Sequence, residues 1–125
     1  MAHILIVEDE PSVRAMLRES LAAEGHDVDE AANGREGLSA MEARPAEVVI
    51  TDILMPEKEG LQFIKDLRQG YPDAKIVAIS GGAPGLQSGC NLELASMFGA
   101  HVTCAKPVDI DALLMMIRSF VPASP

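Results

Sequence analysis

The chain has 125 residues, 48% of them hydrophobic, and its 19 acidic against 10 basic side chains give a net charge of −9. That length holds one domain around one core, and the acid excess argues against direct binding of nucleic acid, which needs a clustered basic face. No apolar run approaches the ~20 residues of a membrane-spanning helix, and the N-terminus lacks the basic flank and cleavage site of a secretory signal.

In chain order, residues 4–7 (ILIV) form a short continuous apolar run, the pattern of a strand buried on both faces. Pro11 and Ser12 open a helix in which Val13, Met16, Leu17 and Leu21 recur at helical spacing, and Gly25 closes it. Residues 28–31 are more polar and fit an edge strand, and Asn33–Gly34 lead into a shorter helix marked by Leu38 and Met41. A second continuous run at 48–50 predicts a strand, followed by a helix on Leu61, Ile64 and Leu67 that ends at Gly70. Residues 76–79 predict the fourth strand, and the Gly/Pro-rich stretch 81–89 reads as a loop. Leu92, Ala95 and Phe98 give a weaker helix stopped by Gly99, and residues 100–104 give a fifth strand. After Pro107, a stripe of Ile110, Leu113, Leu114, Ile117 and Val121 marks the last helix. Strand and helix thus alternate five times. This predicts an α/β fold, a five-stranded parallel sheet with right-handed crossovers and helices on both faces.

In such sheets ligands bind at the carboxyl ends of the strands. There the chain carries Glu8-Asp9-Glu10, then Asp52, then Ser80, then Lys106-Pro107. If the strand order is the flavodoxin-like 2-1-3-4-5, the first and third strands are neighbours and Glu8, Asp9 and Asp52 converge. Crowded carboxylates repel one another unless a cation joins them. Hard oxygen ligands with open positions suit Mg²⁺. Lys106 adds a compact positive charge and Ser80 a hydroxyl. A carboxylate nucleophile, a metal, an ammonium and a hydroxyl together suit phosphoryl transfer, with Asp52 as the group that attacks.

Over nearly its whole length the chain resembles the response-regulator receiver domain of bacterial two-component systems. The likeness is carried by residues 4–11 (ILIVEDEP), 49–56 with Gly60 (VITDILMP…G), 76–81 (IVAISG), Gly99-Ala100 and Lys106-Pro107. The resemblance implies that Asp52 accepts a phosphoryl group from the phosphohistidine of a histidine kinase or histidine phosphotransfer protein. It implies Mg²⁺ as cofactor, held by Asp9 and Asp52 directly, by Glu8 through water and by the Leu54 backbone carbonyl. It also implies that Ser80 and Lys106 contact the phosphoryl oxygens, and that the Lys106-Pro107 bond is cis. The domain would fill residues 1–125 with no output domain in the chain, work in the cytoplasm, and act on a protein target or pass phosphate on. A receiver fragment of a longer regulator would read the same way.

Two features depart from the family. Three residues before the lysine, where the family usually carries Tyr or Phe, stands Thr103. Ser80 and Lys106 lie 26 positions apart, several more than the family pattern, and the excess falls in the Gly/Pro-rich stretch. The expectation is that this loop, rather than an aromatic rotamer, responds to phosphate. On the last helix Met116 and Phe120 extend the apolar side, a candidate partner patch. In the family this helix, with the fourth predicted helix and the fifth strand, forms target or homodimer interfaces. Cys90 and Cys104 are too few for a disulfide framework and read as a reduced pair, Cys104 buried and inert.

Two other functions compete. A phosphatase could use Asp52 as a covalent nucleophile, but the haloacid-dehalogenase type needs Asp-x-Asp after the first strand, and Glu8-Asp9-Glu10 does not supply it. A nucleotide or flavin binder would want a Gly-rich, cationic loop where this chain places three acids.

Overall fold

The computed structural model describes residues 2–53, 59–80, 90–91 and 99–120, with Glu59, Ser80, Cys90 and Asn91 described in their backbone alone. Strands are β1 (His3–Val7), β2 (Asp27–Ala31), β3 (Val48–Asp52), β4 (Lys75–Ser80), β5 (Cys90–Asn91) and β6 (Val102–Ala105). Helices are α1 (Pro11–Ala23), α2 (Gly34–Ala43), α3 (Glu59–Gly70) and α4 (Ile110–Phe120), the last being the fifth predicted helix. The weaker predicted helix on Leu92, Ala95 and Phe98 lies outside the described residues, as does the 81–89 loop.

The sheet order is β2-β1-β3-β4-β6-β5. Its five predicted strands are all parallel and stand in the flavodoxin-like order, β6 being the predicted fifth. The sequence pattern did not show β5, a two-residue strand that pairs antiparallel with the outer edge of β6. Two residues are too few to produce a periodic signal.

Side chains alternate across each strand, so each buried strand feeds two cores. Ile4, Ile6, Ile50, Val77 and Val102 pack with Leu17 and Leu21 of α1 and Leu113 and Ile117 of α4. Leu5, Val7, Val49 and Ile76 pack on the other face with Met41 of α2 and Phe63, Ile64 and Leu67 of α3. Helix ends follow the local sequence. Pro11 opens α1, Gly25 ends its chain turn at φ 89°, and the Asn33 side chain caps α2 by accepting the Glu36 N–H at 2.9 Å. On the last helix Leu113, Met116, Ile117 and Phe120 share one face by their spacing. Met116 and Phe120 accordingly pack against the core, half-buried, while Met115 is the residue left 65% exposed. β2 is the polar edge strand expected, and its charges are paired: Asp27 with Arg44, Glu30 with Arg14 and Arg18.

Cys104 departs from expectation. It is buried as predicted, but it is disulfide-bonded rather than a reduced thiol.

Two histidines tie strand starts together. His26 Nδ1 accepts the Ala2 N–H at 3.2 Å, and His101 Nδ1 accepts the Ile76 N–H at 3.0 Å. Burial is the main cause that holds both below the usual imidazole value. For His101, Lys75 and Arg68 add to it; for His26 the acids Glu24 and Glu47 oppose it and Arg118 adds to it. A base depressed in the folded state stabilises fully above its unfolded pKa, here 6.5, and loses that stability as pH falls below it. Thermal melts should therefore show Tm falling between about pH 7 and about pH 5.5. The His26→Gln/His101→Gln double variant should be flatter over that range, and equal slopes for the two proteins would refute the assignment.

Candidate functional site

Strand register builds the site. β1 and β3 pair with Val7 opposite Thr51, so the next residues, Glu8 and Asp52, emerge level with each other. β4 and β6 pair with Ser80 opposite Ala105, which places Lys106 directly beyond the last ladder position. Asp52 itself lies opposite Ile79, one residue before Ser80. Four strand ends thus deliver an acid, an acid, a hydroxyl residue and a lysine to one edge of the sheet.

The side chains meet there. Lys106 Nζ donates to Asp52 Oδ2 at 2.9 Å and to Glu8 Oε1 at 3.3 Å. Glu8 and Asp52 are almost fully buried, with 1% and 3% of their surface exposed, while Asp9 is exposed. One carboxylate oxygen from each of Glu8, Asp9 and Asp52 lies within 4.8 Å of the others. Ionised, the three acids exceed the one ammonium by two charges. The second Glu8 oxygen, Oε2, is buried with no hydrogen-bond partner among the described residues. A buried carboxylate oxygen without a partner is costly. An oxygen-rich cluster with a surplus of two charges and an unsatisfied acceptor fits a small divalent cation such as Mg²⁺.

The electrostatics carry the same strain. Burial, then repulsion from Asp52, pushes the Glu8 carboxyl above its ordinary range, against the pull of the Glu10 N–H and Lys106. Burial works against the Lys106 charge too, but the Asp52 and Glu8 carboxylates outweigh it and hold the ammonium above the usual lysine value.

Other predicted residues fall as follows. The Lys106–Pro107 peptide bond is cis. Thr103 is buried on β6, its hydroxyl without a hydrogen-bond partner among the described residues. Leu54 and the side chain of Ser80 lie outside the described residues. Two contributors were not singled out in the sequence by role. Arg14 Nη1 donates to the Glu8 backbone oxygen at 2.7 Å and fixes the turn that carries the acids. Its signal was a cation in the first turn of a helix entered by Glu8-Asp9-Glu10. Gly60 lies against the far end of β3, where an added Cβ would stand 2.5 Å from the Asp52 carbonyl oxygen. A cleft of about 410 Å³ lined by Pro45, Glu47, Tyr71 and Asp73 among others opens where β3 and β4 begin, at the opposite end from these groups.

Comparison with known proteins agrees with this arrangement. A protein from Leptolyngbya boryana described as an uncharacterized 14.6 kDa protein is 32% identical over 122 residues, covering 98% of this chain and 92% of its own. The transcriptional regulatory protein GlrR of Escherichia coli is 30% identical over 118 residues, 93% of this chain and 25% of GlrR. The sensor kinase CckA of Brucella abortus is 42% identical over 82 residues, 64% of this chain and 9% of CckA, so this chain spans only a minor part of those two relatives. Among solved structures, the chemotaxis response regulator CheY4 of Vibrio cholerae superposes with a TM-score of 0.80 at 28% identity, covering 97% of this chain and 99% of CheY4. A CheY-like receiver domain protein from Methanospirillum hungatei gives 0.81 at 28% identity, with 95% and 92% covered. The family model of the response regulator receiver domain matches residues 4–118, and the chain belongs to that family.

Proposed function

We propose that Asp52 is the phosphoacceptor of a two-component phosphorelay and that its donor is a phosphohistidine on a histidine kinase or histidine phosphotransfer protein. The observation that carries this reading is the contact of Lys106 Nζ with Asp52 Oδ2 inside a cluster of three carboxylates. Asp52 sits at a strand end with a cation against one of its oxygens, so its carboxylate is held in place for in-line attack. An Asp52 oxygen forms the new bond to phosphorus as the bond from phosphorus to the imidazole nitrogen breaks, and the imidazole leaves with the electron pair. Lys106 then neutralises charge on the phosphoryl oxygens, and Ser80 supplies a hydroxyl to one of them. Asp9 and Asp52, with Glu8 through water and the Leu54 carbonyl, would hold Mg²⁺. When bound, that ion offsets the charge brought together in the transition state.

On this reading residues 1–125 form one receiver domain, alone or within a longer regulator. It signals by protein contact or passes the phosphoryl group on, using the face of β6 and α4 with the segment between β4 and β6. Its phosphodonors work in the cytoplasm, which is the compartment we propose. Among the described residues no helix is long and apolar enough to cross a membrane.

Incubation with a small acyl phosphate and Mg²⁺, followed by intact mass, is expected to show one phosphoryl adduct. Chelation of divalent ions or Asp52→Asn should remove it, and Asp9→Asn should reduce its rate by about 10²-fold or more. An adduct that persists in Asp52→Asn would defeat the assignment, as would a wild type unreactive toward both the acyl phosphate and a phosphorylated histidine phosphotransfer domain.

A further inference from the structure

The turn that carries Glu8 and Asp9 is held from outside the site, by the edge strand β2 and the start of α1. We propose that Arg14, gripped by Glu30, is a positioning residue for the strand-end acids: it fixes the Glu8–Asp9 peptide and so sets how tightly these acids hold a divalent cation. This role rests on the reading that Glu8, Asp9 and Asp52 form a Mg²⁺ site, and it adds the residues that aim them.

The backbone at Glu8 is tied on both sides. Its N–H donates to the Ala31 carbonyl at 3.1 Å, and its carbonyl accepts from Arg14 Nη1 at 2.7 Å. That carbonyl belongs to the planar peptide joining Glu8 to Asp9, so fixing it fixes the direction in which Asp9 leaves. Asp9 is exposed, and packing does little to aim it. One peptide further on, the Glu10 N–H donates to Glu8 Oε1 at 3.2 Å, so the same turn also orients the buried carboxylate.

Arg14 is itself held. Its Nε lies 3.6 Å from Glu30 Oε1, while Arg18 Nε, one helical turn on, lies 3.3 Å from Glu30 Oε2. Glu30 pairs with Ile6 in the β1–β2 ladder, one step before Ala31, so both anchors of the turn come from adjacent residues of one strand. A planar guanidinium serves a carbonyl and a carboxylate with separate N–H groups in a rigid fork. The Arg14 side chain is 23% exposed and its bond to Glu8 is charge-assisted, unlike a fully solvated surface pair. It also stands near the N-terminus of α1, where the helix dipole disfavours a cation. What Arg14 holds explains its place; the helix does not.

Charge and geometry predict opposite signs for its removal. A neutral side chain at position 14 leaves the acid cluster with one cation fewer nearby, and by charge alone Mg²⁺ would bind more tightly. Loss of positioning weakens binding, since partners that orient metal ligands typically carry about 10–100-fold of affinity.

Titration calorimetry of the full chain with Mg²⁺ at constant ionic strength should find Arg14→Gln about tenfold weaker than wild type. Arg14→Lys keeps the charge and loses the fork; about threefold weaker binding is expected, and this variant decides if Arg14→Gln fails to fold. Glu30→Gln should weaken binding about twofold in wild type and change nothing in the Arg14→Gln background, because it acts through the arginine. In chelator, well below the melting temperature, the Glu8 and Glu10 amides should exchange about tenfold faster in Arg14→Gln while those of β3 and β4 keep their wild-type rates. A merely structural loss would speed all of them. Unchanged or tighter Mg²⁺ binding in the arginine variants, or unaltered exchange at Glu8 and Glu10, would overturn the proposal. A wild type that takes up no Mg²⁺ would overturn the metal reading along with it, a result distinct from equal affinities in variant and parent. Neither readout requires phosphorylation, so acyl phosphate labelling judges the role of Asp52 separately.

Discussion

Gly60→Ala is expected to lower Tm by about 5–8 °C, corresponding to roughly 2 kcal/mol, and to slow phosphorylation of Asp52 by tenfold or more. Inside a helix alanine is ordinarily better than glycine by about 1 kcal/mol. Here the close approach of α3 to the end of β3 reverses that preference. The new Cβ would lie 2.5 Å from the Asp52 carbonyl oxygen, 2.6 Å from that of Ile53 and 2.9 Å from Ile53 Cα. These are backbone atoms, with no flexible side-chain end to move aside. Either the start of α3 lifts or the Asp52–Ile53 backbone shifts, and overpacking of this kind costs about 1–3 kcal/mol. The shift would fall on the residue proposed as the nucleophile, where a displacement of about 1 Å can cost about 10² in rate. Melting curves and the rate of acyl phosphate labelling check both effects. An alanine variant equal to wild type in both would show that the helix start is softer than its contacts imply.

Lys106→Met is the second large effect. Methionine keeps the length of the stem and removes the charge, leaving Glu8 and Asp52 to face each other with side chains 1% and 5% exposed. Breaking a fully buried ion pair costs about 3–5 kcal/mol. The lysine side chain is 24% exposed, so solvent softens the loss, and about 2 kcal/mol is expected in buffer free of divalent ions. Added Mg²⁺ should restore more Tm to the variant than it adds to wild type, because its carboxylates no longer share an ammonium. Labelling of Asp52 should nonetheless stay at least about tenfold slower with Mg²⁺ present if, as proposed, the lysine also serves the phosphoryl oxygens. A variant as stable as wild type in chelator would mean that the ammonium does not balance the two acids.

Most of this arrangement could be read from the sequence because its causes are local. Continuous apolar runs at 4–7, 48–50 and 76–79 belong to strands buried on both sides, and a parallel order then forces their carboxyl ends together. Glu8, Asp52 and Lys106 follow from that alone. The contact from Arg14 to the Glu8 carbonyl did not, because a backbone oxygen leaves no trace in composition. Gly60 stood within the family motif, but its reason for being glycine lies in a contact with a different element. Met116 and Phe120, the candidate patch, share the side of Leu113 and are half-buried against the core, which sequence spacing shows only as a continuous apolar side. Cys104 was misread as a reduced thiol for a related reason. Residues 90 and 104 have no periodic relation, and only the antiparallel pairing of a two-residue strand sets them opposite each other.

At the far side of the sheet, β2 bears Asp27, Asp29 and Glu30 along its length, each against a cationic or imidazole partner. An open strand edge is a template on which a second chain can add, and a row of charges is the common defence. Any newcomer strand would have to line up against those carboxylates and displace their arginines. The charges of β2, three acids against three arginines and an imidazole, are thus suited to a different task from the cluster at the strand ends. Such an edge disfavours growth from sheet to sheet, and neutralising Asp29 and Glu30 is expected to weaken solubility before it touches the fold.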